Sequence, residues 1–139
     1  MLLSPIAWAV LGLLLFEILL SLYACMELRR LIKEVSILKT NEDLHRYRQM
    51  AARQMYLALV LIGMVILKVV VLGFGLVLDW ISLPEMFCIG LFLVPYALIG
   101  VWVKQLEVHV QSIPAANQEC IEERDRIVQV WRKRILPTW

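Results

Sequence analysis

The chain has 139 residues, of which 61% are apolar, and a formal net charge of +2. A water-soluble domain carries about 45–50% apolar residues, so an ordinary soluble globule is excluded. The net charge says little by itself; its distribution says more.

The apolar residues lie in three long blocks. Glu17 is the one charged residue between Leu2 and Met26, Lys68 is the one between Met55 and Leu78, and residues 86–103 contain none. Each block is long enough to cross a hydrocarbon core of ~30 Å. What remains is too short and too charged to bury a separate core. Lys and Arg cluster between the first two blocks (Arg29, Arg30, Lys33, Lys39, Arg46, Arg48, Arg53) and in the tail (Lys104, Arg124, Arg126, Arg132, Lys133, Arg134). The MLLSP start and the connection Asp79–Glu85 have none. The positive-inside bias then places the N-terminus outside and the tail in the cytoplasm of an inner or plasma membrane. Three crossings agree with opposite ends on opposite sides. Positive charge follows the first apolar block instead of preceding it, which suits a retained anchor and not a cleaved signal.

Ser4-Pro5 opens the first helix, with Ser4 as cap and Pro5 at the first helical position. Trp8 and Tyr23 fall where aromatic belts are expected. No Gly or Pro follows until Gly63, so the helix is expected to leave the membrane and run to about Lys39. Leu28, Leu31, Val35 and Leu38 have the a/d spacing of a coiled coil. Thr40-Asn41-Glu42-Asp43 reads as a hairpin tip whose residues cap the returning helix. Leu44, Tyr47 and Ala51 carry the matching stripe back towards Met55. If Leu38 faces Leu44, Glu17 should face Val65, with Lys68 one turn further on. The second span ends in Gly73, Gly75, Asp79 and Trp80; the two glycines do not share a face and mark a soft end or a close contact.

Ser82-Leu83-Pro84-Glu85 reads as a capping box opening the third helix, which should kink at Pro95 and stop near Ser112. Ala115-Ala116-Asn117 is a linker. The tail helix, from Gln118 to about Ile135, has Ile121, Ile127, Val128, Trp131 and Ile135 on its apolar side. It is expected to dock on the hairpin or on another protein.

The expected fold class is therefore an all-α integral membrane protein. It has three transmembrane helices, the first two forming a long antiparallel hairpin extended into the cytoplasm, plus a cytoplasmic C-terminal helix. Residues 1–112 would form the membrane domain, with the coiled-coil hairpin over about 28–54, and residues 117–136 the tail helix.

Glu17 and Lys68 are the sharpest chemical signal. A lone charge at mid-bilayer costs ~2.5–3.5 kcal/mol, so such residues are paired or functional. One reading is a proton or ion relay. The other is an intramembrane ion pair that fixes register or joins protomers. The surrounding spans offer only Ser21 and Tyr96 as polar company, which favours the ion pair. Acids interleaved with the basic residues argue against nucleic-acid binding. His45 and His109 lack a convincing third ligand and do not sit mid-span, so neither a metal site nor a bis-histidine haem is expected, and no other cofactor is implied. Cys25, Cys88 and Cys120 are expected to be free thiols. No catalytic triad, phosphate loop or carboxylate dyad stands out, so no enzyme and no small-molecule substrate are expected.

The first functional expectation is a small non-catalytic membrane subunit that scaffolds a larger complex. Leu31, Val35, Leu44, Tyr47, Ile127 and Trp131 are its candidate partner-binding residues. Its partners would be the lipid bilayer and other subunits, or copies of itself. The alternative is a homo-oligomeric channel with Glu17 and Lys68 in or near the pore. A third expectation is a small membrane-permeabilising effector.

Overall fold

A computed structural model describes residues 4–137. They form four helices: α1 (Pro5–Glu34), α2 (Asn41–Val77), α3 (Leu83–Gln111) and α4 (Gln118–Lys133). The first three are long and apolar enough to cross a membrane.

The helix starts follow from local chemistry. Ser4 Oγ accepts the N–H of Ala7 at 3.2 Å, and Pro5 begins α1 where a missing N–H costs nothing. Thr40 caps α2 through the Asp43 N–H at 3.2 Å, while the Asp43 carboxylate accepts the N–H groups of Lys39 and Thr40. Those donors hold the Asp43 carboxyl below its ordinary range. At α3, Glu85 Oε2 accepts from the Ser82 N–H at 2.7 Å and from its hydroxyl at 2.8 Å.

α2 ends with Asp79 in the left-handed region, at φ 56°. The N–H groups of Trp80 and Ile81 both return to the Gly75 carbonyl, at 2.8 and 3.2 Å. This turn lays Ile81 onto Gly75, where an added Cβ would lie 2.6 Å from Ile81 Cδ1. Gly73 has open space around it. Close approach therefore explains Gly75 and not Gly73.

Two boundaries differ from expectation. α1 stops at Glu34 instead of running to about Lys39. The chain extends at Val35 (φ −121°, ψ 89°), and Leu38 pairs with the α3–α4 connection. The Leu38 N–H donates to the Pro114 carbonyl at 2.9 Å, and the Ala116 N–H donates to the Leu38 carbonyl at 3.0 Å. Val35 and Leu38 stay buried throughout. Their spacing thus reports a continuing inward face and not a continuing helix. The tail helix ends at Lys133, short of Ile135, because Arg134 is extended. Pro95 lies inside α3, which continues as helix on both sides of it.

α1 is the middle helix, packed mainly along α3 and also against α2, while α4 packs on α2. Its buried positions step by threes and fours: Ala7, Val10, Leu14, Glu17, Ser21, Ala24, Leu28 and Leu31. α1 and α3 run parallel and are tied at both ends. The Ser4 N–H donates to the Glu85 carboxylate at one end, and the Leu38–Ala115 bridge closes the other. α2 runs the opposite way, with Arg53 paired to Glu27 at 3.1 Å.

Among the described residues, the bundle has two apolar cores. Ala7, Val10, Leu14 and Ile89 form a small one near the start of α1. A larger one, around Leu28, Leu38, Tyr47, Val110 and Ile127, joins all four helices at the other end. Cys25, Cys88 and Cys120 are free thiols.

Candidate functional site

Between the two cores lies a polar layer with one residue from each long helix. Lys68 Nζ of α2 pairs with Glu17 Oε2 of α1. The same ammonium sits 5.2 Å from the centre of the Tyr96 ring of α3, within cation–π range. Glu17 is 0% exposed and Lys68 is 5% exposed.

Helix geometry explains how these side chains meet. At ~1.5 Å per residue, Glu17 lies ~15 Å along α1 from Glu27, and Lys68 ~22 Å along α2 from Arg53. Their Cα atoms are thus at different depths. Side chains in a helix lean towards its N-terminus. The two helices are antiparallel, so Glu17 leans towards the depth of Lys68 and Lys68 leans back towards Glu17. This convergence corrects the expected facing of Glu17 and Val65. Val65 is turned outward, and Lys68 occupies the inner position.

Glu17 Oε1, the other carboxylate oxygen, is buried without a hydrogen-bond partner. Gln54 Nε2 is in the same condition. Among the described residues, the buried polar and charged side chains are Glu17, Ser21, Gln54 and Lys68. They do not form a continuous row, and the small core of Ala7, Val10, Leu14 and Ile89 lies beyond the pair. The layer can cross-link three helices. A proton path needs more donors and acceptors than it supplies.

No family model, curated protein or solved structure matches this chain.

The six candidate partner residues lie in contacts within the chain. Leu31, Val35, Leu44, Tyr47 and Ile127 are buried in the four-helix core, and Trp131 packs against it half-buried. The first five are closed to another protein while this end is packed. The Tyr47 hydroxyl donates to the Val110 carbonyl at 3.3 Å, and burial pushes its phenol pKa well above the ordinary value. Polar clamps hold the same end together. Arg48 pairs with Glu123, Arg124 Nη1 donates to the Ile113 carbonyl at 3.1 Å, and Arg132 Nε donates to Gln111 Oε1 at 2.7 Å. His45 and His109 are exposed, and His45 lies 2.9 Å from the Gln49 side-chain amide.

One contact was not legible as a pair: the Arg29 guanidinium lies 5.5 Å from the centre of the Trp102 ring. The available signal was position alone. Arg29 begins the basic run after the first apolar block, and Trp102 stands near the end of the third.

Proposed function

We propose that this chain is a small non-catalytic subunit of a membrane complex. Its N-terminus lies outside, and its four-helix end projects into the cytoplasm as an assembly platform. One observation carries the reading. The polar layer is turned inward and enclosed within a single chain, while the outer faces of α2 and α3 are broadly apolar and exposed. A helix pair locked by an internal ion pair, with large apolar flanks, suits packing against lipid and other spans.

The docking surface is then the outside of the four-helix end. It includes a mixed-charge groove between α2 and α4 lined by Asn41, His45, Glu119, Glu122 and Arg126. A channel built from copies of this chain would need its charges on a face presented to the pore. The enclosure of Glu17 argues against that arrangement.

Native mass spectrometry of the protein, solubilised gently from its own membrane, tests the proposal. Recovery with one or more different proteins is expected. A single large homo-oligomer overturns the proposal in favour of a channel. The charge-swapped double variant, Glu17→Lys with Lys68→Glu, should restore assembly that each single change abolishes. In a channel, the swap would change ion selectivity instead.

A further inference from the structure

A groove of about 440 Å³ runs between α1 and α3 where their apolar blocks give way to charge. Arg29 and Lys33 stand one turn apart on its α1 wall, and Gln105 and His109 one turn apart on its α3 wall. Ile32 and Leu106 supply apolar lining, and Trp102 holds the Arg29 guanidinium against its ring face at 5.5 Å. Among the described residues, no carboxylate lines this groove.

The charge at this level is unevenly satisfied. Arg30 is paired with Glu34 at 2.7 Å, Arg53 with Glu27 at 3.1 Å, and Lys104 with Glu107 at 2.9 Å. Among the described residues, Arg29 and Lys33 have no carboxylate within ion-pair distance. The nearby acids are committed to other cations, and this groove keeps two positive charges and an amide donor uncompensated.

We propose that this groove binds the headgroup of an anionic phospholipid in the leaflet next to the four-helix end. The two cations and the Gln105 amide match a phosphodiester, and a basic pocket between spans is suited to such headgroups. Trp102 is an aromatic side chain of the kind enriched at the headgroup level. Ile32 and Leu106 give the start of an acyl chain an apolar wall. A free phosphate would use the cations and leave these apolar walls wet, so a lipid is the better occupant. The inference rests on the membrane-spanning reading of α1 and α3 and is independent of the partner proteins.

The test uses the full chain in nanodiscs of equimolar phosphatidylcholine and phosphatidylglycerol, released into native mass spectrometry. The wild type should retain phosphatidylglycerol about 25-fold over phosphatidylcholine, about fivefold for each of the two cations. Arg29→Gln and Lys33→Gln should each weaken that preference by about fivefold, and together they should abolish it. Lys39→Gln with Lys133→Gln removes the same charge elsewhere and should keep the wild-type preference. Equal retention of both lipids by the wild type overturns the proposal, as does a wild-type preference in the groove variants. Loss of preference in the distant variant means a diffuse field and overturns it too. Inorganic phosphate added in uncharged detergent should leave the thermal stability of the wild type unchanged. Stabilisation that disappears in the groove variants would assign the site to a soluble anion and reject the lipid.

Discussion

The two ends of this bundle solve opposite packing problems. At the four-helix end, apolar side chains are turned inward: Leu28, Leu38, Tyr47, Val110 and Ile127 are buried, and charged residues lie outside. Along the spans, α2 and α3 turn apolar side chains outward, with Val69 66% and Leu98 67% exposed. The span end keeps a much smaller core and places its charge at the centre. In water, burying apolar area drives association. Among lipid tails that drive is absent, and helices are held by packing and polar contacts. The contrast teaches that one chain uses apolar burial for one half and a buried ion pair for the other.

The largest expected effect comes from unpairing the polar layer. Glu17→Leu or Lys68→Leu alone leaves a buried charge without its partner and should cost about 3–5 kcal/mol in mixed-micelle unfolding. Glu17→Leu combined with Lys68→Met should recover most of that loss. If the singles cost no more than the double, the ion pair does not hold the span end.

Truncation sharpens the comparison next. Ile127→Ala removes buried volume from the four-helix core and should cost about 2–5 kcal/mol, seen as faster amide exchange throughout α4. Val69→Ala, on an outward face, should change stability by less than about 0.5 kcal/mol in lipid. Equal effects at the two sites would erase the distinction between the ends.

Glycine substitutions give smaller and opposite effects. Gly75→Ala places a methyl against Ile81 and should cost about 1–3 kcal/mol. Gly73→Ala meets nothing and should stabilise α2 by about 0.5–1 kcal/mol. Thermal unfolding of the two variants side by side reads both.

Titration is the mildest probe, and its sign differs between the ends. The donors Ser4 and Ser82 hold Glu85 down at about 2. Its contribution is present above the ordinary carboxylate range and is lost as pH falls through the folded value. The protection factors of the Ser4 and Ser82 amides, taken against intrinsic exchange at each pH, should therefore fall as pH drops from about 4 towards 2. Burial raises Tyr47, so its contribution is present below the ordinary phenol pKa and is lost as pH rises through the folded value. The phenolate absorbance difference between wild type and Tyr47→Phe should appear only well above about pH 10.

The three long apolar helices were legible because nothing but length and composition is needed to see them. Caps at Ser4 and Thr40 were legible because their partners are three residues away. The bridge at Leu38 was not, because Leu28, Leu31, Val35 and Leu38 keep one inward face whether the last two are helical or extended. Glu85 was readable as the partner of Ser82, but its bond to the Ser4 N–H joins the starts of two helices that lie 81 residues apart in sequence. At the polar layer, residue spacing set Glu17 opposite Val65 with Lys68 one turn beyond, within reach of a lysine side chain. The lean of side chains along antiparallel helices brings in Lys68, and Tyr96 enters because α3 packs beside α1.

The Leu38–Ala115 bridge also orders the birth of the molecule. Its second half follows all three long helices along the chain, so Leu38, Tyr47 and Ala51 lack their later partners until α3 and α4 have been made. That end therefore closes only once α4 has followed the three long helices. Without α4, the faces of Leu44, Tyr47 and Ala51 that meet it would lie open, so the first three helices alone leave that core unfinished.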